Sequence, residues 1–331
     1  MRILVTGGAG YVGSVSVEAL IAAGHDVVVL DDLSTGHDWA DLAGAGLLTG
    51  TYTDGPTLAE LLGRERIEAV LHCAARSLVG ESIADPARYF GENLAGGIAL
   101  LEALRDAGVL RLVISSTAAV YGVPDATPIP EDAPLRPINP YGETKRGLEA
   151  AAGWYSRAYG LRVASLRYFN VAGATERNGE AHDPETHLIP NILAAVATET
   201  PLAIFGDDYP TPDGTPIRDY IHVADLAEAH RLALEATALG DSRTDAPLIC
   251  NLGSGVGFSV REVIAEAQRV VGRPIPQVSG PRREVDPPVL IAAIDRAAGV
   301  LGWTPTDSTL ESMIGSAWAW RRRNEERFSA G

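Results

Sequence analysis

Short runs of aliphatic and β-branched residues recur through the first half of the chain, each followed by a stretch with helical periodicity. RILVTG predicts a first strand, and SVSVEALIAAG a helix ending at Gly24. DVVVLDD predicts the next strand and TLAELLGRE the next helix. IEAVLHCA and RLVISST predict two more strands, separated by the helical NLAGGIALLEALRDAG, and LRVASLRYFN predicts another. Strands apolar on both faces that alternate with helices predict an α/β fold with a parallel sheet covered on both sides.

From about residue 171 the pattern changes. GATERNGEAHDPETH and FGDDYPTPDGTP are polar and rich in Gly, Pro and Asp, and predict loops over a binding site. HVADLAEAHRLALEA predicts an amphipathic helix with Asp225 as N-cap, and SVREVIAEAQRVVG a second capped helix. PLICNLGSG between them predicts a strand that returns to the sheet. The domain boundary is therefore interleaved. Residues 1–173, with sheet and helix returns near 217–255, form one unit, and residues 174–331 a smaller α/β one.

Composition narrows the classes. The chain has 331 residues, 46% of them apolar, enough for about two domains with full cores. A formal net charge of −16 repels phosphate backbones, so nucleic acid is a poor partner. An anionic small ligand would need Arg side chains or backbone N–H groups working against that field. The two cysteines, Cys73 and Cys250, follow apolar runs and read as buried thiols. They give neither a disulfide framework nor a zinc site, and no metal is expected. The N-terminus enters a strand at once, and no apolar run is long enough to span a bilayer, so the expected location is cytoplasmic.

LVTGGAGYVGS places Gly7, Gly10 and Gly13 between the first strand and the first helix. Glycines at this spacing permit a tight turn and close approach of a pyrophosphate, while the helix N-terminus supplies N–H donors and a positive dipole. This turn makes the first unit a Rossmann-type, doubly wound dinucleotide-binding domain. Asp31, at the end of the second strand, can accept from an adenosine ribose and repels a 2′-phosphate, which favours NAD over NADP.

NPYGETK follows the ISSTAAVYG strand end. Asn139 can cap a helix and Pro140 suits its first position, which puts Tyr141 and Lys145 on one face at i and i+4. A cation beside a phenol lowers its pKa from about 10, so the pair can deprotonate a hydroxyl. Thr117 can share a hydrogen bond with that hydroxyl.

The glycine turn, SST and YGETK resemble the extended short-chain dehydrogenase/reductases. LRYFNVAGA, ETHLIPNIL, LAIFGDDYPTPDGTPIRDYIHVADLAEAH and NLGSG are similar to the UDP-glucose 4-epimerase (UDP-galactose 4-epimerase) family, over nearly the whole chain from Arg2 to about Trp303. The resemblance implies an NAD-dependent isomerase of UDP-sugars, a homodimer joined through two helices per subunit, one of them carrying the Tyr and Lys. It implies that Tyr141 is the base for the sugar 4-hydroxyl, with Lys145 on the nicotinamide ribose and Thr117 beside them. NAD contacts fall to Gly7, Gly10, Tyr11, Val12 and Gly13, to Asp31, Asp32, Leu33, Ser34, Thr35 and Gly36, and to Thr51, Tyr52, Cys73, Ala74, Ala75, Ser77, Glu92, Tyr141, Lys145 and Phe169. On the substrate side, Asn170, Arg218 and Arg283 meet the UDP diphosphate. Phe205, with Ala203 and Ile204, flanks uracil, and Asp286 accepts from the uridine ribose. His187 and Leu188 lie where a lid meets the nucleotide, Tyr220 joins the same site, and Leu290 falls near the sugar.

Three positions depart from that family. Thr51 stands where an Asp is usual near the adenine, Ser77 where a Lys is usual, and Glu92-Asn93 where paired Asn are common. Arg76, next to Ser77, is expected to supply the missing cation. Nucleotide-sugar 4,6-dehydratases need carboxylates just after the strand-end Thr, where this chain has Ala118 and Ala119, and UDP-glucuronate decarboxylases usually have a Glu in that stretch. A 4-epimerase of UDP-N-acetylhexosamines, pentoses or uronates stays open, decided by the pocket around Leu290. A non-catalytic NAD sensor of this fold would typically lack the Tyr or the Lys.

Overall fold

In a computed structural model that describes residues 1–239, 247–283 and 286–328, the first strand lies inside the main sheet, next to its central strand. β1 (Arg2–Thr6) pairs in parallel with β2 (Asp26–Asp31) on one side and β4 (Ala69–His72) on the other. β3 (Gly46–Thr49) lies outside β2. Beyond β4 come β5 (Arg111–Thr117), β6 (Arg162–Tyr168) and, from far along the chain, β10 (Leu248–Leu252). All seven strands are parallel, so the sheet reverses its direction of growth between β1 and β4, the place where such sheets bind ligands.

Helices cover both faces. α1 (Tyr11–Ala22) and α8 (Val223–Leu239) pack on one, burying Val17, Leu20, Leu226, Ala229, Ala233 and Leu234 with strand residues Ile3, Val5, Leu166 and Cys250. α10 (Asp295–Leu301) and Trp303 join that core through Ala297 and Leu301, so the main unit draws on chain beyond residue 255. α2 (Gly55–Arg64), α5 (Gly96–Ala107) and α6 (Pro140–Tyr159) cover the other face through Leu58, Leu62, Leu100, Leu104 and Leu148. Two short helices, α3 (Val79–Ala84) and α4 (Pro86–Tyr89), lead through a π-helical turn, Phe90–Ala95, into α5.

The smaller unit starts where β6 ends. β7 (Asn170–Ala172) pairs with β9 (Ile217–His222), which also carries β11 (Gly257–Ser259) and β13 (Val289–Leu290). β8 (Leu202–Phe205) pairs with β12 (Gln277–Gly280). α7 (Leu188–Thr198), α9 (Val260–Val271) and α11 (Leu310–Arg323) close a core of Ile192, Leu193, Ile264, Met313 and Ile314. A single turn, α12 (Glu325–Phe328), follows. The two polar stretches near 173–187 and 206–216 are loops, as their composition predicts. No helix among the described residues is long and apolar enough to cross a membrane.

Two local expectations need correction. Asp225 is not the cap of α8 but lies in its first turn. Its carboxylate accepts from the backbone N–H groups of Thr306 and Asp307 at 3.0 and 2.9 Å, anchoring a distant loop to the helix start. Cys250 is buried, but Cys73 is only partly so, because it follows the last residue of β4 and opens onto the crevice at the switch point.

Candidate active site

The glycine turn is shaped by its neighbours. Gly7 has φ +72°, and a Cβ there would sit 2.5 Å from the Ala74 nitrogen, so only glycine lets β1 turn against the strand across the crevice. A Cβ on Gly13 would lie 2.0 Å from the Gly7 carbonyl oxygen. Gly10 is the N-cap of α1 and has no side chain to cap it. The first-turn N–H groups, Tyr11 and Val12 among them, are thus left without a side-chain acceptor, as a pyrophosphate site requires. Tyr11 also ties the turn to the smaller unit, since its hydroxyl donates to the Gly173 carbonyl at 2.6 Å.

Asp31, the last residue of β2, is buried, and its carboxylate accepts from Ala9 N–H at 2.9 Å and Leu33 N–H at 2.8 Å. Burial pushes its pKa up while these two bonds pull it down. Asp32 accepts from Ser34 N–H at 2.9 Å, and a Cβ on Gly36 would meet Asp31 Oδ1 at 2.8 Å. The segment from Asp32 through Thr35 to Gly36 therefore wraps the carboxylate, as a ribose-binding acid needs. A closed glycine turn, an uncapped helix and a wrapped acid at the sheet's switch point fit NAD.

Along the rest of that edge the departures from the family pattern acquire partners. The Thr51 hydroxyl meets the Thr53 hydroxyl at 2.9 Å and accepts from the Thr53 N–H at 3.2 Å, and faces solvent. Tyr52 donates to the Glu92 carbonyl at 2.9 Å and sits edge-on to His72. Ser77 is exposed, whereas Arg76 is largely covered. Arg76 is not free to serve as a spare cation: its Nε donates to Glu92 Oε2 at 2.6 Å. Asn93 is buried and pins the same segment, accepting from Arg76 N–H at 2.8 Å and donating to its carbonyl at 2.9 Å.

The sequence places α6 as predicted. Asn139 Oδ1 accepts from Gly142 N–H at 2.8 Å, Pro140 opens the helix, and Tyr141 and Lys145 follow. Lys145 is buried and donates from Nζ to the Ser115 carbonyl at 2.8 Å. Burial lowers its pKa to about 8, partly offset by Cys73 and Glu149. The neighbouring Cys73 thiol is pushed up to about 12 by burial. Tyr141 departs from the simple expectation. Burial raises its pKa, and the opposing influence is a hydrogen bond with Thr117, not Lys145, whose ammonium is turned onto the Ser115 carbonyl.

A buried network that sequence reading missed sits behind this pair. Glu149, one turn beyond Lys145, accepts from Ser116 Oγ at 2.5 Å and from Arg167 Nε and Nη2 at 3.0 and 2.7 Å. Arg167 Nη1 donates on to Tyr121 at 2.8 Å, and Tyr121 donates to Asn251 Oδ1 at 2.7 Å. Helix α6 is thereby fixed against β5, β6 and the turn after Thr117. Its signal was one Glu four residues past a Lys, indistinguishable in sequence from a surface pair.

The substrate-side candidates form a second group. Thr117 pairs in register with Tyr168, and Phe169 and Asn170 follow directly, so the end of β5 adjoins the entry to the smaller unit. Leu290 pairs with Arg218 and packs with Ala118, Tyr121 and Phe169. Arg218 does not pair with its neighbour Asp219. Its Nη2 donates to Asp286 Oδ1 at 2.5 Å, and Tyr209, which sequence reading left without a role, donates to Asp286 Oδ2 at 2.9 Å. Asp219 is buried and accepts from Ser254, Gly255 and Ala292 N–H groups. Tyr220 is buried beside it on β9. On β8, Ile204 points inward while Ala203 and Phe205 point out, and the Arg283 guanidinium lies 4.6 Å from the Phe205 ring centre. His187 caps α7 by position and Leu188 begins it, but the His187 ring is engaged by Glu180 and Glu185.

This arrangement can hold a dinucleotide at the switch point, move a proton at Tyr141, and meet a nucleotide with arginines and an aromatic platform. The chain is similar to known proteins over its whole length. The NAD dependent epimerase/dehydratase family matches residues 3–253. The UDP-glucose 4-epimerase of Corynebacterium glutamicum is 49% identical over 331 residues, covering 100% of this chain and 98% of that protein. That of Lacticaseibacillus casei is 47% identical, with 99% of each covered. Among solved structures, UDP-glucose 4-epimerase from Brucella ovis in complex with NAD is similar at a TM-score of 0.91 and 43% identity, covering 96% of this chain and 97% of that one. UDP-glucose 4-epimerase from Bifidobacterium longum in complex with NAD+ and UDP has a TM-score of 0.92 at 32% identity, covering 99% and 100%.

Proposed function

Because the chain belongs to the NAD dependent epimerase/dehydratase family, we propose that it inverts C4 of a UDP-hexose, interconverting UDP-galactose and UDP-glucose through a 4-keto sugar. The observation that carries this reading is the phenol of Tyr141, held beside Thr117 and Lys145 at the strand ends next to a turn that fits a dinucleotide. NAD, when bound, would supply the reversible uptake of hydride from C4, and a cation near the phenol would oppose the burial that raises the Tyr141 pKa.

The residues of the chain do the rest. Gly7, Gly10 and the start of α1 hold the pyrophosphate, and Asp31 takes the ribose. Tyr141 removes the proton of the 4-hydroxyl and later returns it, with Thr117 sharing that hydrogen bond. Lys145 bears on the nicotinamide ribose. Arg218, Arg283 and Asn170 hold the diphosphate, Phe205 with Ala203 and Ile204 flanks uracil, and Asp286 accepts from the uridine ribose. Charge-assisted bonds suit a doubly charged linker in a chain of net charge −16. Tight hold on the nucleotide with few charged groups at the hexose lets the keto sugar turn over and present its other face.

Residues 1–173 with the later returns make the NAD-binding unit, and the remainder to 331 the UDP-sugar unit. The protein acts in the cytoplasm as a homodimer joined through α5 and α6. Exposed Ile98 on α5 and Trp154 and Tyr159 on α6, with Trp154 66% exposed, support that face. The test is incubation with UDP-galactose without added NAD, followed by NMR of the anomeric protons. UDP-glucose should form with wild type, while Tyr141→Phe should be slower by roughly 10²–10⁴-fold. No UDP-glucose with wild type, with or without NAD, would sink the reading. UDP-N-acetylgalactosamine in parallel reads out breadth.

A further inference from the structure

The loop between β7 and α7 gathers four side chains, of which only His187 enters the proposed reaction, and that only at the lid. Glu180 Oε1 lies 2.8 Å from His182 Nδ1 and 2.7 Å from His187 Nδ1. Glu185 Oε1 lies 2.8 Å from that same His187 nitrogen. The four donor atoms all fall within 4.8 Å of one another. Two carboxylates thus converge on one imidazole nitrogen, which has at most one proton to offer. The Glu180 side chain is only 6% exposed, so water is a poor substitute partner there, while Glu185 Oε1 is held in place by the Thr186 and His187 N–H groups, each at 2.7 Å.

We propose that Glu180, His182, Glu185 and His187 form a binding site for a divalent transition-metal ion of the zinc class. The donor set argues the class. Two imidazole nitrogens and two carboxylate oxygens make a four-coordinate borderline set, which suits zinc. Calcium takes about six to eight oxygen ligands, and magnesium about six, with several waters. Zinc bonds of about 2.0–2.1 Å put tetrahedral ligands roughly 3.3 Å apart. The hydrogen-bonded atoms need to open by about half an ångström, which rotation of these side chains provides.

Eight consecutive residues, EAHDPETH, supply every ligand, and none is a cysteine, which is why cysteine spacing gave no sign of it. Three ligands come from the loop. The fourth, His187, is the N-cap residue of α7 and makes no side-chain cap bond there. A bound ion therefore ties the crossing loop to the helix whose first residue, Leu188, is proposed to meet the nucleotide.

The test uses the full chain with its NAD, stripped with a chelator and desalted. Co²⁺ is added and the visible d–d absorption recorded, then Zn²⁺ is titrated in and bound metal counted by mass spectrometry. The expected result is an intense tetrahedral Co²⁺ band, displaced by Zn²⁺, with one metal per chain. His182→Ala and, separately, Glu185→Gln should each weaken Zn²⁺ binding by roughly tenfold or more. Wild-type protein that retains well under one Zn²⁺ per chain overturns the proposal and leaves a hydrogen-bonded His–Glu cluster. So does Zn²⁺ binding that is equal in wild type and His182→Ala, since the ion would then sit elsewhere.

Discussion

Arg76 and Glu92 neutralise each other at the rim of the cofactor crevice, Nε to Oε2 at 2.6 Å, with the arginine side chain only 12% exposed. Two departures from the family pattern thereby form one unit: an acid stands where an amide is common, and the cation next to Ser77 answers it. Arg76→Ala leaves Glu92 with only the more exposed Arg88, whose Nε donates to Oε1 at 3.0 Å, as a counter-charge near the NAD site, so retained NAD after gel filtration should drop several-fold. Arg76→Ala/Glu92→Asn should recover most of that loss, a coupling of about 1 kcal/mol. Equal NAD content in wild type and Arg76→Ala would show that the pair has no bearing on the cofactor.

Arg218 and Asp286 meet at 2.5 Å, yet both are proposed to contact UDP. The arginine is thus pre-aimed by its partner. Arg218→Leu removes a charge-assisted bond worth about 1.5–3 kcal/mol, so KM for the UDP-sugar should rise by roughly 10–100-fold. The expected kcat change is smaller, because the diphosphate is held equally in ground and transition states. A drop confined to kcat would place Arg218 at the chemistry instead.

His72 and His230 are enclosed, and burial lowers each pKa from 6.5 to about 3. Both stay neutral in the fold where the unfolded chain protonates them. Their stabilising effect is therefore complete above pH 6.5 and is lost as pH falls from 6.5 towards 3. Each should cost about 1.4 kcal/mol per pH unit in that window, or about 2 kcal/mol at pH 5. Urea unfolding at pH 7.5 and pH 5 with fixed saturating NAD measures it. His230→Gln should reduce the pH slope by about one proton, whatever its effect at pH 7.5. An unchanged slope would mean that His230 titrates normally.

Trp154 on α6 is 66% exposed, with the Arg157 guanidinium 5.1 Å from its ring centre. A large ring left in water on the helix that bears Tyr141 is expected to be covered by a second copy. Light scattering should give a dimer for wild type and a monomer, or a much weaker dimer, for Trp154→Asp. A wild-type monomer at all concentrations would exclude this interface.

Much of this was legible in sequence because it rests on local rules. The glycine turn, Asp31 at a strand end and the Asn139-Pro140 helix entry depend on backbone geometry that only a few residue types satisfy. β3 was missed because its four residues, GLLT, form a half-exposed edge strand with too little apolar pattern to register. The Glu149–Arg167 pair and the Asp219 anchor were invisible for another reason. Their partners lie 18 and 35 or more residues away, and a buried charge pair looks in sequence like any surface pair. Asp225 misled because an acid in the first turn resembles a cap, although its oxygens serve residues some 80 positions later.

The last strand of the main sheet, β10, belongs to residues 248–252, while its neighbour β6 ends at residue 168. A chain leaving the ribosome has therefore finished β6 long before its partner emerges. For that interval β6 presents a bare, apolar edge with unpaired backbone groups, a template for pairing with other chains. Truncations ending between residues 173 and 247 keep every proposed cofactor contact, yet lack the strand that seals this edge. They should accumulate as aggregates and not as small NAD-binding domains.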